Sequence, residues 1–330
     1  MVPCQTDIDL PTALNQTTCI RRGFCPIIRQ RGAPRKIYFE LHGSEDATYK
    51  MVFKMCLGNT CFSWSRQVEY FSRKPNHAVL VFDNRGVGYS DAGPLEPYKT
   101  SEMAKDLVDL LDHLCWDNQR SLHVIGVSLG GMIAQELCFL IPKRIMSVVF
   151  TSTKARNLHI PGINVLSQIS LLALTQATQT ERVATLVRIM FPAPYLDAPA
   201  PNPTPEIPTN RAHEEACMGA HHKVMRHQTM SMEVGQTLAA LFHSCSTKSL
   251  GRMAEMLEPA KVLILTGDAD EMMAVEKSVE LHRDIPGSEL VVWSGGGHAL
   301  CAQMEKDHNL LIERVMQEGE KAMVDAGLEA

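Results

Sequence analysis

Short apolar runs bounded by Gly, Asp or other polar residues recur along the chain: FCPII (24–28), KIYFEL (36–41), YKMVFKM (49–55), AVLVF (78–82), LHVIG (122–126), IMSVVF (145–150), KVLILTG (261–267) and ELVVW (289–293). Their length and their β-branched and aromatic content predict strands. Between the later runs the pattern changes to a helical period. In SEMAKDLVDLLDHLCWDN (101–118), Leu107, Leu110, Leu111 and Leu114 fall on one stripe. Strand alternating with helix predicts an α/β fold, with a mostly parallel sheet covered by helices on both faces. The tail, HNLLIERVMQEGEKAMVDAGLEA (308–330), reads as a closing amphipathic helix.

The alternation breaks between about 152 and 255. Two helical stretches, 164–191 and 213–257, flank FPAPYLDAPAPNPTPEIP (191–208), which carries seven Pro within 192–208. Proline removes backbone donors and stiffens the chain, so this segment is expected to be an exposed connection that no sheet uses. The predicted organisation is a core in two parts, 1–151 and 258–330, separated by a helical lid over 152–257 with its Pro-rich loop at 191–208. The lid would enter after the sixth strand.

Composition narrows the function. Of the 330 residues 45% are hydrophobic and 21% charged, the profile of a globular chain rather than a disordered one. With 32 Lys+Arg against 37 Asp+Glu, a net charge of −5 gives no basic excess to hold a phosphate backbone, so nucleic acid is not an expected partner. The first thirty residues lack a basic start followed by an apolar run, and no window of 18 apolar residues occurs, so no membrane span and a cytoplasmic location are expected. There the 10 Cys, without CxxC spacing, would stay reduced and form neither a structural disulfide nor a zinc site. His213, His221, His222 and His227 cluster in the insertion, but not at metal-ligand spacing. No G-x-G-x-x-G or G-x-x-x-x-G-K-[ST] phosphate cradle appears, so no cofactor is expected. A small-molecule substrate is the expected partner, and a homodimer is left open.

The chemistry centres on LHVIGVSLGGMIAQEL, which sets Gly126-Val127-Ser128-Leu129-Gly130 between an apolar strand and a helix. A serine on a sharp strand-to-helix turn needs small neighbours two residues away on each side, because the turn brings backbones close. It would also sit at a helix N-terminus, where free N–H groups favour developing negative charge. The alternative is a serine that merely caps the helix. A hydroxyl is a poor nucleophile at neutral pH, so Ser128 as nucleophile demands a base and an orienting acid. Among 13 His, His298 alone ends a strand-to-glycine run, ELVVWSGGGH. The acid is expected in LTGDADEMM, where Asp270 is chosen and Asp268 remains its rival. An oxyanion needs two backbone donors: Leu129 N–H and one from MCLGNTCFSW (55–64), with Leu57 the candidate. His42-Gly43 follows the second strand and is read as a hairpin turn, and Asp83-Asn84-Arg85-Gly86 as a structural turn.

Taken together, VLVFDNRGVGYSDAG (79–93), GVSLGGMIAQEL, LTGDADEMM and GGGHAL resemble the α/β-hydrolase fold family, in its branch with proline iminopeptidase, haloperoxidase-like and 3-oxoadipate enol-lactonase-like members. The resemblance covers roughly 36–155 and 258–316. It implies an eight-stranded sheet, a triad at Ser128, Asp270 and His298, and a variable cap that selects substrate. Members often carry His-Gly or Met-Gly at the oxyanion loop; this chain has Met55-Cys56, with Gly58 two residues on. The expected activity is hydrolysis of a small to medium, fairly apolar ester or lactone through an acyl-enzyme. A C–C bond hydrolase, a thioesterase or an aminopeptidase would use the same triad, and a ligand sensor with slow turnover is the non-enzymatic alternative.

Overall fold

Apolar runs that alternate sides become strands of one sheet. A computed structural model describes residues 5–6, 10–28, 34–92, 97–156, 178–224 and 230–328. Its strands are β1 (Gln5–Thr6), β2 (Cys19–Ile27), β3 (Arg35–Gly43), β4 (Tyr49–Lys54), β5 (His77–Phe82), β6 (Leu122–Val127), β7 (Ile145–Thr151), β8 (Lys261–Gly267) and β9 (Glu289–Trp293). They pair in the order β1-β2-β3-β5-β4-β6-β7-β8-β9. From β5 through β9 every pairing is parallel, while β2–β3 and β3–β5 are antiparallel.

Eight of these strands coincide with the eight apolar runs; the ninth is the two-residue β1, which pairs with β2. β2 starts at Cys19, five residues before its apolar run, because pairing with β3 carries the polar Arg21-Arg22 stretch into the strand. The reading of His42-Gly43 as a hairpin turn is corrected: β3 lies beside β5, not β4, so the chain crosses over. Gly43 ends β3 at φ +105, and a Cβ there would lie 2.1 Å from the His77 carbonyl oxygen. Only glycine tolerates both conditions.

A period of two sorts the core into two layers. Val52, Leu80, Val124 and Val148 face one side, packed with Met103, Leu107 and Leu111 of α2 (Thr100–His113) and with Ile133 and Leu137 of α3 (Leu129–Leu140). Met51, Phe53, Val79, Ile125 and Val149 face the other, against Val68 and Phe71 of α1 (Ser65–Phe71) and Ile312, Val315 and Met316 of the C-terminal helix 305–325. Each fully buried side chain of this size contributes roughly 1.5–3 kcal/mol.

Lys54 breaks the apolar layer. It shares the face of Val52, is 1% exposed, and its Nζ lies 4.5 Å from the centroid of the Phe82 ring, with no hydrogen-bond acceptor among the described residues. Burial pulls its pKa down to about 7; Arg85 adds to the effect and Asp106 opposes it. A lowered amine pKa means that folding releases a proton between pH 7 and the ordinary value of 10.5. Below pH 7 the full cost of burying the charge is present, and it is relieved as pH rises through that window. Lys54→Met is therefore expected to stabilise the protein at or below pH 7, by roughly 1–4 kcal/mol. The gain should shrink toward pH 10, and urea unfolding of both proteins across that range checks it.

Between β7 and β8 the described chain is helical: α4 (Gln179–Met190), α5 (Ala193–Leu196), α6 (Asn210–Val224), α7 (Met230–Leu241) and α8 (Thr247–Leu257). Thr178 and Glu181 cap α4 reciprocally: Thr178 Oγ1 accepts from the Glu181 N–H, and Glu181 Oε2 accepts from the Thr178 N–H. Residues 201–206 are exposed, as the proline content predicts, but the segment is not all connection. α5 begins directly after Pro192, buries Leu196, and is followed by an antiparallel bridge between Pro199 and Thr209. Much of the predicted helix 164–191, with His227 of the insertion's histidines, lies outside the described residues. The chain closes with α9 (Val275–Asp284), α10 (Leu300–Gln303) and α11 (Glu305–Asp325). Among the described residues no helix is long and apolar enough to cross a membrane.

Candidate active site

β6, β8 and β9 run parallel, so the loops after them open on one edge of the sheet. After β6 the chain turns at Ser128 directly into α3. Ser128 holds φ 55 and ψ −117, a conformation L-residues rarely adopt. Its N–H donates to the Thr151 carbonyl at 2.9 Å, and its carbonyl accepts from Thr153 Oγ1 at 2.8 Å. The glycines make the turn possible. A Cβ at Gly126 would come 2.5 Å from the Gly130 oxygen, and one at Gly130 would come 2.2 Å from the Lys54 oxygen. Ser128 caps no first-turn N–H with its side chain, against the capping alternative.

After β8 the sequence offered two acids, and their surroundings differ. Asp270 is buried; its Oδ1 accepts the N–H groups of Met272 and Met273, each at 2.9 Å, and its Oδ2 lies 2.9 Å from His298 Nδ1. Asp268 is exposed and accepts the Gly295 N–H at 2.6 Å, which braces the glycine run instead. After β9 that run turns through Gly295 at φ +68 and packs tightly: a Cβ on Gly267 would lie 2.1 Å from the Gly296 oxygen. Gln303 clamps it from both sides, accepting the Gly297 N–H and donating to the Gly295 carbonyl, each at 2.7 Å.

His298 is 2% exposed, and Ser128 is half-buried. No hydrogen bond joins the Ser128 hydroxyl to the His298 ring among the described residues. The structure therefore brings Asp270 and His298 into contact and sets Ser128 on the same edge. Catalytic hydrogen bonds are often long without substrate and tighten in the complex.

Leu129 opens α3, and a first-turn N–H has no intrahelical acceptor. Leu57 lies in the loop after β4, 38% exposed. Its neighbours are committed: Gly58 N–H donates to Gln236 Oε1 at 2.9 Å, Asn59 N–H to the Cys56 carbonyl at 3.4 Å, and Cys61 N–H to Asp83 Oδ1 at 2.8 Å. No acceptor takes the Leu57 N–H among the described residues. The loop after β5 supports this one: Asn84 donates to the Met55 carbonyl at 3.3 Å, and Arg85 pairs with Asp106 through two hydrogen bonds of 2.6 and 2.7 Å. Burial raises the Asp83 pKa to about 6, against the lowering effect of the Cys61 and Tyr89 N–H groups. Asp83-Asn84-Arg85-Gly86 thus braces the neighbouring loop.

Burial also holds three nearby thiols in the protonated form: Cys56, Cys61, and Cys301, whose pKa is pushed up to about 12. Two groups among the described residues have spacing that could hold a metal ion, Cys19–Glu40–His42 and Glu136–His243–Cys245. In the first, His42 Nε2 faces Glu40 Oε2 at 3.3 Å; in the second, Thr100 and Gln135 occupy the His243 nitrogens at 2.8 and 3.4 Å. Neither lies on the strand-tip loops that carry Ser128, Asp270 and His298. The insertion's histidines serve locally: His222 Nδ1 meets the Met218 carbonyl at 2.8 Å, and burial lowers the His221 pKa to about 4.

Several residues at this edge had no signal in the sequence. Gln236, Gln303 and the ion pair between Arg66 and Glu214, at 2.9 Å, connect distant segments, so nothing local marks them.

A family model described as the α/β hydrolase fold matches residues 52–193. The 3-oxoadipate enol-lactonase 2 of Acinetobacter baylyi is 32% identical over 106 residues, 32% of this chain and 38% of that enzyme. A protein provisionally named carbamate hydrolase RutD in Stutzerimonas stutzeri is 23% identical over 278 residues, 84% of this chain and 95% of its own. With the enol-lactonase and two other curated relatives, the chain spans about two fifths of their length. A hydrolase of Pseudomonas aeruginosa superposes with a TM-score of 0.67 at 21% identity, covering 89% of this chain and 98% of the other.

Proposed function

We propose that this chain, an α/β-hydrolase-fold protein, is a cofactor-free serine hydrolase of small to medium, fairly apolar esters or lactones. The observation that carries the reading is one edge of the sheet. There a strained serine between two obligatory glycines shares the rim with a buried imidazole whose Nδ1 is 2.9 Å from a buried carboxylate. Ser128 Oγ attacks the carbonyl while His298 Nε2 takes its proton. Asp270 holds the Nδ1–H and so fixes the tautomer that can accept at Nε2. The tetrahedral oxygen develops negative charge beside the Leu129 and Leu57 N–H groups. The ester C–O bond then breaks, the leaving oxygen takes the proton from His298, and the acyl group remains on Ser128. Water repeats the sequence and releases the acid.

The preference for ester or lactone draws on the name of the enol-lactonase relative, since the triad alone suits several bonds. The family resemblance implies that the helical segment between β7 and β8 selects the substrate. Two measurements test the reading. A fluorophosphonate probe should label Ser128 and no other serine, and a panel of p-nitrophenyl esters, lactones, thioesters, diketones and N-terminal-proline peptides should be turned over best at the esters or lactones. Labelling elsewhere ends the serine assignment, and preference for another bond class ends the substrate assignment alone.

A further inference from the structure

Gln236 stands apart from the residues of the proposed reaction, yet its side chain lies between two loops at the reacting edge. It comes from α7 of the insertion, is 1% exposed, and uses both ends of its amide: Oε1 accepts the Gly58 N–H at 2.9 Å and Nε2 donates to the Arg85 carbonyl at 3.0 Å. A buried amide satisfied on both sides by backbone is costly to disturb, because losing it strands two polar groups at once.

Its footing is rigid. Gly235 allows α7 to pack flush on Tyr98, for a Cβ there would come 2.6 Å from Tyr98 Cε1. The Arg85 guanidinium sits 5.0 Å over the Tyr98 ring, and Asp106 of α2 grips that guanidinium with both carboxylate oxygens. The chain from α2 through Arg85 to Gln236 therefore holds the amide in one place.

What it holds is a turn. The Asn59 N–H donates to the Cys56 carbonyl at 3.4 Å, closing Cys56–Asn59, and Gly58 occupies the third position at φ +71. Positive φ there is the mark of a type II turn. Types I and II differ by a flip of the central peptide, here the one joining Leu57 to Gly58, which exchanges the directions of the Leu57 carbonyl and the Gly58 N–H. An acceptor on the Gly58 N–H selects one flip. The preceding peptide is set too: the Cys56 carbonyl points at Asn59, and a trans peptide then directs the Leu57 N–H the opposite way.

We infer that Gln236 is a positioning residue for oxyanion stabilisation, an insertion side chain that ties the Cys56–Asn59 turn to the Arg85 loop and so keeps the Leu57 N–H, oriented by the Cys56–Asn59 hydrogen bond, in place beside the reacting carbonyl. The inference rests on the serine-hydrolase reading above. It also makes the placement of α7 a condition for an assembled oxyanion site.

The test uses the full chain with Gln236→Met, which keeps length and burial but loses both hydrogen bonds, and Gln236→Asn, which keeps the amide but is one methylene too short to span both loops. On the best ester, kcat should fall about 10- to 100-fold in each, the scale of a displaced donor, with KM changed less than about threefold. Affinity for a boronic acid that mimics the tetrahedral state should fall in step with kcat/KM, a correlation that a loss of packing would not produce. If Gln236→Met does not fold, as judged by circular dichroism, Gln236→Asn decides on the same readouts. Folded variants that keep kcat and boronate affinity within twofold, while Ser128→Ala is dead, overturn the inference and leave the reading intact. Retained hydrolysis by Ser128→Ala overturns the reading itself.

Discussion

Ser128→Ala is expected to lose ester turnover by a factor on the order of 10⁶ in kcat, the cost of removing the nucleophile from a hydroxyl–imidazole–carboxylate unit. The fold should survive. Alanine removes one oxygen from a half-buried side chain and leaves the Ser128 backbone bonds to Thr151 and Met132 untouched. The variant also isolates the backbone strain. At φ 55 and ψ −117 any side chain with a Cβ is strained, so Ser128→Gly should be equally inactive yet more stable than Ser128→Ala by about 1 kcal/mol. Steady-state kinetics with thermal unfolding of all three proteins checks both parts, and an alanine variant that turns over normally would falsify the nucleophile assignment.

Asp270→Asn should lower kcat by a factor on the order of 10⁴ while leaving KM nearly unchanged. The physical cause is a change of tautomer. The carboxylate Oδ2 can only accept, which places a proton on His298 Nδ1 and leaves Nε2 free to act as base. An amide at that position can present its NH₂ to Nδ1, which moves the ring proton to Nε2 and removes the base. The amide oxygen can still take the N–H groups of Met272 and Met273 that Asp270 Oδ1 holds now, so the loop should keep its shape. Asp268→Asn is the control. That carboxylate meets the Gly295 N–H at the exposed end of the loop, so its loss should cost a few-fold in activity at most. Comparable losses at both positions would mean that loop integrity, not the imidazole, is the quantity at stake.

The sheet was legible because strand-length apolar runs and their glycine and aspartate boundaries are local signals. β6 through β9 required no knowledge of their neighbours. β1 was not legible, since two residues carry no periodicity, and the start of β2 was not, since pairing with β3 overrides the polarity of Arg21 and Arg22. The candidate site was readable to the extent that its residues sit at strand tips: a serine between glycines, a histidine after a glycine run, and an acid after Gly267. The choice between Asp268 and Asp270 is different. Both occupy the same turn with similar neighbours, and what separates them is which carboxylate faces inward, a property of three-dimensional packing. Gln236 shows the remaining limit. Its role depends on the register of α7 against two loops far away in the chain, and no period or motif encodes that register.

The exposed proline-rich stretch 201–206 divides the chain between β7 and β8, two strands that lie side by side in the sheet. A protease nick at that point would leave two pieces, one ending beyond β7 and carrying Ser128, the other carrying Asp270 and His298. Their shared ladder of main-chain hydrogen bonds, the layers packed across it and the Arg66–Glu214 contact would keep the pieces together without a covalent link. The same layout suits a split enzyme, in which neither half holds all three of the proposed reacting residues and recovered activity reports their reunion.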